Sequence, residues 1–553
     1  MKNLTVNLRM NHVRHQVLRW TCMLALGVSP VVGCSDPKGD PCAGAGCDDG
    51  NECTEDACNP STGACDYVPL ADGAFCEAGA CQSGECRPIS SVFPCSQQGI
   101  LEAIAAGGGP HAFACEGERT VRTTLEIVID NDVILDGLDT LTVDGRDDHR
   151  VFLVPEGVTA ELRRFTVTGG YLGPVEDCGG GIKVAGGALT LTRCRVSDNE
   201  TQSVNGGGIC NEEGTLELRY SDISNNLADG GDGAGIYSRG GTVTLLDSTV
   251  YDNSIAFHGE GSGVYQDGGQ LTMTRSVVSG NHLLDDDRTI AGIYNSGQFM
   301  KLTQTTVSGN GVGIYNKGPA DLIESLVSGN AERGIIHESA GGIFTLTDST
   351  VSENGGGGIF VGFGFIVLER STVSGNTAGG GAGALVVNEG ALRLTNSTVS
   401  GNTAESTGGG LHNTGGGEIW LINSTLSGNS AGASGGAVYS FMSTTYLTNT
   451  LVDGDCALDR APILSSGHNL ESPGNTCGLD QPTDESGVST EDLKLGPLSD
   501  NDGATTTHAL LPGSVAVDRI PKAMCEVDED QRGVARPQGG TCDVGAFEQE
   551  RSR

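Results

Sequence analysis

The stretch GGGLHNTGGGEIWLINSTLSGN, residues 408–429, contains the pattern that decides the fold. Short apolar segments alternate in it, and the alternation slips by one residue before the phrase STLSGN. In the preceding repeat, Leu392 and Leu394 share one phase, whereas Ser397 and Val399 share the other. A one-residue slip exchanges the two faces of a strand, so the chain must turn between the two segments. Gly and Asn supply corners that need positive φ.

This phrase recurs about ten times, and each copy ends on an asparagine. The asparagines are Asn199, Asn226, Asn253, Asn281, Asn310, Asn330, Asn354, Asn376, Asn402 and Asn429. A period in the twenties is typical of leucine-rich repeats or of a parallel β-helix. Glycine runs such as GGGGI stand where a leucine-rich repeat would need a helix, and glycine disfavours helix by about 1 kcal/mol per residue. We therefore predict an all-β, right-handed parallel β-helix with three short strands per coil over residues 92–460.

The composition excludes some classes of partner. The chain has 553 residues and a formal net charge of −38. Nucleic acid is excluded as a partner, because a polyanion would be repelled at every phosphate. Cations, basic partners and neutral glycans remain. The 19 cysteines indicate an oxidising compartment.

The N-terminus has the pattern of an export signal. Basic residues precede the apolar stretch MLALGVSPVV, which is too short to span a bilayer. The sequence VVGCS that follows resembles a bacterial lipobox, which implies a lipid on Cys34; the alternative is an ordinary signal peptide with Cys34 in a disulfide. We predict a signal peptide at 1–33, a linker at 34–41, and an outer-membrane, cell-surface or extracellular protein that touches the membrane only through this lipid.

Eight cysteines between Cys42 and Cys86 predict a disulfide-rich module at residues 42–88. An even number of cysteines in a short segment with few apolar residues is typical of such modules, and the sequence leaves their connectivity open. Three further pairs are candidates for disulfides. They are Cys95 with Cys115, Cys456 with Cys477, and Cys525 with Cys542. Cys178 and Cys210 lie on neighbouring coils and are candidates for another pair.

The repeat pattern ends before residues 461–548. A β-helix with an open end exposes unpaired strand edges, so we predict that this tail caps the end. The segments TTTHALLPGSVAVD, residues 505–518, and DQRGVARPQGGTCDVGAFE, residues 530–548, resemble the choice-of-anchor Q family of bacterial surface proteins. The resemblance implies a right-handed β-helix before the tail and a surface location. It implies no biochemical activity.

Enzymes with the pectin-lyase-like fold act on polysaccharides, so catalytic groups must be considered. Glycoside hydrolysis needs a pair of carboxylates, and a lyase needs a base and a cation. Acidic runs occur only in loops, and His258 with Glu260 stands alone. The sequence favours a non-catalytic protein that binds a glycan or another surface ligand, or acts as an adhesin or scaffold. The alternative is a polysaccharide lyase or glycoside hydrolase. No metal or cofactor is predicted, with calcium left open.

The lengths of the repeats indicate where a ligand would bind. The distance from the Ile-type residue of each glycine-rich strand to its closing Asn stays at 17 residues in most coils, such as Ile209 to Asn226. The connection after the Asn varies from 10–12 residues to 4–5 residues in three coils, and then returns to 9. Three coils at about 4.8 Å each predict a notch roughly 14 Å wide between taller loops.

The residue after each Ile is often aromatic and is expected to point outward, because side chains alternate along a strand. We predict a column of exposed rings beside the notch, suited to stacking on sugars; the alternative is that the rings only stack on one another. The predicted ligand-binding residues are Tyr294, Tyr315, Phe360, Glu332, Arg333, Asp285 and Asp287.

Overall fold

The computed structural model describes residues 51, 53–58, 64–69, 75–76, 79–82, 84–174, 177–284, 290–379 and 383–550. Its main body is a parallel β-helix of about 13 turns, in which a 41-stranded sheet winds around one core. A full coil has three short strands, and each strand pairs in parallel with the strand one coil further on. The predicted fold class is therefore confirmed. We name the three sides of the prism face A, face B and face C, in chain order.

Face A begins each coil. Its strands are Ile127–Val128, Phe152–Val154, Ile182–Ala185, Ile209–Glu212, Ile236–Arg239, Val264–Asp267, Ala291–Asn295, Val312–Asn316, Leu385–Asn388, Leu411–Thr414, Val438–Phe441 and Cys456–Asp459. Two longer strands run from face A into face B. They are Ile335–Thr347 and Ile359–Glu369.

Face B follows. Its strands are Gly108–Ala114, Ala188–Thr192, Thr215–Arg219, Thr242–Leu246, Gln270–Thr274, Phe299–Thr303, Ala320–Ile323, Ala391–Thr395, Glu418–Ile422, Thr444–Thr448 and Ile463–Ser465, with Ser91–Pro94 paired to the first of them. Two long strands near the N-terminus run from face B into face C. They are Val133–Asp144 and Thr159–Thr168.

Face C closes each coil. Its strands are Arg119–Arg122, Arg195–Ser197, Asp222–Ser224, Thr249–Tyr251, Val277–Ser279, Thr306–Ser308, Leu326–Ser328, Thr350–Ser352, Thr372–Ser374, Thr398–Ser400, Thr425–Ser427, Leu451–Asp453 and Leu470–Ser472.

The alternation of the sequence accounts for the core. In one coil, Ile236 of face A, Val243 of face B and Val250 of face C are all fully buried. The one-residue slip falls at the corner between faces B and C, where Asp247 has φ 48° and Arg275 of the next coil has φ 46°. The expectation of Gly or Asn at every corner was wrong here, because stacking of identical turns holds charged residues in the left-handed region.

The N-terminal end of the β-helix is covered by a helix, Gln97–Ala106. Ser96 caps it by accepting a hydrogen bond from the Gly99 backbone N–H at 3.1 Å. The helix buries Ile100 and Ile104 against the first coils. A disulfide joins Cys95 to Cys115 beside it. No helix among the described residues is long and apolar enough to cross a membrane.

The described part of the cysteine-rich module is a set of antiparallel strands. They are Thr54–Cys58 with Cys65–Pro69, and Phe75–Cys76 with Gly79–Gln82 and Glu85–Pro88. Cys53, Cys65 and Cys86 are disulfide-bonded. Cys34 and Cys42 lie outside the described residues.

The closing asparagines form a hydrogen-bonded ladder inside the corner between faces C and A. The Asn253 side chain donates to the Ile223 carbonyl at 2.9 Å and to the Asn281 side-chain oxygen at 3.0 Å. The same Asn281 oxygen accepts the Asn253 backbone N–H at 3.1 Å. The pattern repeats from Asn199 to Asn429. A second ladder of Ser and Thr hydroxyls supports the corner between faces B and C.

The C-terminal tail covers the open end of the β-helix with one segment and lies mainly along its side, so its contacts extend beyond the predicted cap. Only the segment around Cys477, disulfide-bonded to Cys456, packs against the core at the open end. The rest lies on face C, because the outward Leu451 and Leu470 of the last coils offer an apolar surface that the tail covers. A disulfide between Cys525 and Cys542 closes the tail on itself.

The elements of the tail are short. They are the helix Thr490–Leu493, the antiparallel strands Leu495–Ser499 with Thr507–Leu510 and Ile520–Pro521 with Thr541–Cys542, and the 3₁₀ turn Lys522–Met524.

Polar side chains join the tail to face C. Thr398 donates to the Gln531 side-chain oxygen at 2.6 Å, and His508 Nε2 lies 2.8 Å from the Ser400 hydroxyl. Both tail residues are buried. His508 Nδ1 lies 2.7 Å from the Gly496 carbonyl, which makes Nδ1 the donor of a neutral imidazole and Nε2 an acceptor. The tail is thus fixed to the coils that carry face C.

Replacing one asparagine of the ladder is expected to destabilise the β-helix locally. Asn281→Ala removes the acceptor of two Asn253 donors and leaves them buried, at a cost of about 3 kcal/mol. The measurement is the denaturant midpoint, with Asn475→Ala, at an exposed asparagine outside the ladder, as control. Equal midpoints for the two variants would show that the ladder contributes nothing.

The docking of the tail is expected to weaken in acid. Burial lowers the His508 pKa below its usual 6.5, although the charge of Asp453 acts in the opposite direction. The neutral ring therefore stabilises docking above pH about 6.5, and this contribution is lost as the pH falls through the lowered value. Limited proteolysis of the tail should accelerate at pH 5 in the native chain and change less with pH in His508→Gln. The exposed His282→Gln serves as control; a native-like profile for His508→Gln would contradict the assignment.

Candidate functional site

The corner between faces C and A carries two additional small sheets, with a gap between them. The first sheet has five strands: Tyr171–Leu172, Glu200–Gln202, Leu227–Asp229, Ser254–Ile255 and His282–Leu283. The second has three: Thr377–Ala378, Thr403–Ala404 and Ser430–Ala431. The three coils that close with Asn310, Asn330 and Asn354 lie between them, and each has only a short turn. We call this gap the notch. Its position agrees with the short connections in the sequence, and three coils make it roughly 14 Å wide.

The floor of the notch is built by the turn after Asn330. The Glu332 backbone N–H donates to the Gly311 carbonyl of the preceding coil at 2.8 Å, which leaves the Glu332 side chain exposed. The next residue, Arg333, places its guanidinium 4.9 Å from the centre of the Phe360 ring. One guanidinium nitrogen, Nη1, is buried and has no hydrogen-bond partner among the described residues. The notch thus contains a cation with unused donor capacity.

The electrostatics of Arg333 follow from this placement. Burial lowers the pKa of its guanidinium, and the nearby Glu332 charge opposes that shift. In the next coils, His412 stacks on Tyr439 with ring centres 4.9 Å apart. Burial lowers the His412 pKa, and the Arg333 charge lowers it further. Arg333 therefore acts on the wall of the notch as well as on its floor.

The predicted column of rings exists on face A, but its rings stack on one another and are not openly exposed. Ring centres are 5.4 Å apart for Tyr237 and Tyr265, 4.8 Å for Tyr265 and Tyr294, and 5.2 Å for Tyr294 and Tyr315. Tyr294 is only 6% exposed. The chain before each face A strand covers these rings: a Cβ on Gly261 would lie 3.0 Å from the Tyr294 Cβ.

This packing corrects the predicted role of Tyr294. Both of its ring faces are occupied by neighbouring rings, so neither can stack on a sugar. Tyr315 ends the stack at the edge of the notch, where the next residue of the column is Ile336 and the one after it is Phe360. Tyr315 and Phe360 remain half-buried. The column of rings is therefore interrupted at Ile336, and cations lie over the rings on its two sides, Lys317 over Tyr315 and Arg333 over Phe360.

Two charged residues that the sequence did not single out hold the phenols in place. The Lys317 ammonium donates to the Tyr294 hydroxyl at 2.7 Å and lies 5.1 and 5.2 Å from the Tyr294 and Tyr315 ring centres. The Tyr315 hydroxyl donates to Glu338. Burial raises the pKa of both phenols, and the hydrogen bond to Glu338 raises that of Tyr315 further. The sequence contained a signal for Lys317, because side chains two residues apart in an extended chain point to the same side and Lys317 lies two residues after Tyr315.

The other predicted site residues have separate positions. Asp285 and Asp287 fall within residues 285–289, which lie outside the described part of the chain. Asp177, Cys178 and Glu212 form a group with metal-binding chemistry in the described part. Cys178 is disulfide-bonded to Cys210, and the Lys183 ammonium contacts both carboxylates. This group is therefore charge-compensated by lysine and lacks a free thiolate.

The comparisons with protein families agree with a β-helix. Residues 157–310 match the family model described as right handed beta helix region. Residues 246–454 match the one described as periplasmic copper-binding protein (NosD), and residues 46–70 match the Dictyostelium (slime mold) repeat. The search of curated proteins found no match.

Similar solved structures include a pectate lyase and two mannuronan C-5 epimerase A-modules. Pectate lyase Pel9A is 13% identical with a TM-score of 0.22, and the match covers 84% of this chain and 97% of that one. The A-module of the Azotobacter vinelandii mannuronan C-5 epimerase AlgE6 is 14% identical with a TM-score of 0.23, covering 71% and 93%. The AlgE4 A-module from the same organism is 16% identical with a TM-score of 0.25, covering 67% and 94%.

Removing one ring from the stack is expected to destabilise face A. Tyr265 has a ring on each side, so Tyr265→Ala leaves a cavity between them and costs about 3 kcal/mol. Tyr265→Phe keeps both ring contacts and should stay within about 1 kcal/mol of the native chain. Denaturant midpoints measure both. If the Phe variant loses as much stability as the Ala variant, the hydroxyl and not the ring is the stabilising group.

Proposed function

We propose that this protein is an exported β-helix protein that binds a saccharide chain across the notch. The observation that carries the proposal is the half-buried Arg333 guanidinium, which lies over the Phe360 ring and makes no ion pair among the described residues. Nη1 itself is enclosed, so an acceptor on a ligand would bind the part of the half-buried guanidinium that remains exposed, where the hydrogen bond is strengthened by the charge. The short turns of three coils leave space for such a ligand.

The charge of Arg333 favours an acidic group on the saccharide. A guanidinium donates two parallel hydrogen bonds to a carboxylate or sulfate, and bonds to charged groups contribute about 1.5–3 kcal/mol each. The formal charge of −38 would otherwise repel an anionic ligand. The positive charge of Arg333 therefore offsets this repulsion at the place where an anionic sugar unit would bind.

The apolar part of the floor suits a sugar ring. Ile336 lies between Tyr315 and Phe360 in register on face A, and all three are half-buried. The C–H face of a sugar packs on such a surface, while its hydroxyl groups face the exposed Glu332. The roles predicted for Tyr315, Phe360, Glu332 and Arg333 are retained in the proposal. Tyr294 becomes a supporting residue.

The proposal includes export. The signal-like N-terminus and the cysteine content favour it, and the match to a family described as periplasmic supports it. Lipidation of Cys34 and a location on the bacterial surface remain part of the proposal. The family description names copper, but we do not propose copper binding for this chain. In the group of Asp177, Cys178 and Glu212, the Cys178 sulfur is part of the Cys178–Cys210 disulfide.

The test is a binding assay with the full mature chain on an array of neutral and uronic-acid oligosaccharides. Arg333→Gln removes the positive charge and keeps a polar, shorter side chain. It should weaken binding of acidic oligosaccharides at least tenfold, or about 1.4 kcal/mol. Phe360→Ala should weaken both classes. Arg119→Gln, at an exposed arginine of face C outside the notch, is the matched control.

Three outcomes decide the proposal. Selective loss of acidic glycans in Arg333→Gln supports it. Unchanged binding in that variant, or no glycan bound at all, refutes it. Release of unsaturated or shortened sugars from a bound polysaccharide would instead establish the lyase or hydrolase alternative.

A further inference from the structure

We propose that face B carries a docking surface for a second copy of this chain. The surface lies on the outward side of face B, away from the notch, and we call it the face B patch. Its residues are Ile343, Phe363, Phe365, Val367, Trp420, Tyr446 and Leu464. The proposal does not depend on saccharide binding.

The face B patch is apolar and open to solvent. Ile343 is 53% exposed, Phe363 is 51% exposed and Leu464 is 44% exposed. Register connects the patch from coil to coil, with Ile343 beside Phe365 and Trp420 beside Tyr446. Six successive coils span about 24 Å. The exposed Arg393 and Glu418 lie between its apolar residues, and exposed apolar side chains flanked by polar ones are typical of an interaction site.

The orientation of the rings favours a protein partner over a saccharide. Trp420 and Tyr446 stack nearly parallel, with centres 5.4 Å apart and planes at 3°. Phe365 meets Trp420 edge-on at 6.3 Å and 73°. Sugars pack on ring faces, but rings that stack from coil to coil turn their faces along the β-helix and their edges outward. The ring edges and aliphatic groups that remain match the apolar side chains of another protein surface.

Two opposite charges indicate that the partner is a second copy. Arg393 and Glu418 are exposed within the face B patch, on neighbouring coils. Neither side chain has an ion-pair or hydrogen-bond partner in the part of the chain that the structure describes. A two-fold axis lying in the interface and passing midway between them places Arg393 of each copy opposite Glu418 of the other. The dimer then contains two equivalent ion pairs, each between Arg393 of one copy and Glu418 of the other.

The size of the surface predicts a reversible dimer. About 24 Å along the coils and about 16 Å along a five-residue strand give a footprint on the order of 400 Å² per copy. Stable complexes bury about 800 Å² on each partner. The high negative charge also opposes association of two copies. The dimer should therefore have a dissociation constant in the micromolar range.

The experiment is sedimentation equilibrium of the full mature chain in 0.15 M salt, over protein concentrations up to about 100 µM. Arg393→Glu and Glu418→Arg each bring like charges together twice and should weaken the dimer at least tenfold. The double variant restores opposite charges and should return to within about threefold of the native constant. Arg119→Glu makes the same charge change outside the patch and should have little effect.

Recovery in the double variant supports the second copy as the occupant. A native chain that stays monomeric over the whole range overturns the proposal, and so does a dimer that neither single variant weakens. Trp420→Asp places a charge in the apolar centre and should also yield monomer, with circular dichroism reporting whether the variant is folded. Binding of a neutral oligosaccharide that Trp420→Asp abolishes in a monomeric native chain would assign the face B patch to a saccharide instead.

Discussion

Hydrogen bonding from each asparagine to the next coil is the interaction on which the rest of the structure depends. An asparagine such as Asn253 satisfies a carbonyl of the preceding coil and receives its own acceptor from the following one, so each corner is completed by its neighbours. The hydrogen bonds of the corner are therefore complete without contacts from the connection that follows the asparagine. This independence lets the connection after the Asn be a short turn at Asn330 or a strand-bearing loop at Asn402, with the coil itself unchanged.

In-register stacking also determines which aromatic residues can take part in binding. Rings at equivalent positions, such as Tyr265 and Tyr294, lie about one coil apart and cover one another's faces. The stack rigidifies face A, but it removes its interior members from contact with a ligand. The column is interrupted at Ile336, between Tyr315 and Phe360, so a change in the repeat ends the stack beside the notch.

Much of the fold and part of the site could be predicted, because both depend on local spacing. The phase slip before Ser397 and the fixed distance to each Asn specify three strands and a variable corner. The stacked burial of Tyr294 depends on which chain segment passes over it, and spacing does not report that. The docking of His508 against Ser400 joins residues 108 positions apart. The left-handed turn at Arg275 was missed since the sequence rule assigns such turns to Gly and Asn.

The variable corner makes the width of the notch a discrete quantity. Each coil either carries a strand of a corner sheet or lacks one, so the width of the notch changes in steps of one coil, about 4.8 Å. Lengthening the single turn after Asn354 into a loop like that after Asn376 would narrow the notch by one coil and leave every hydrogen bond of the Asn ladder in place. A change in one loop would therefore alter the width of the notch while the core remains the same.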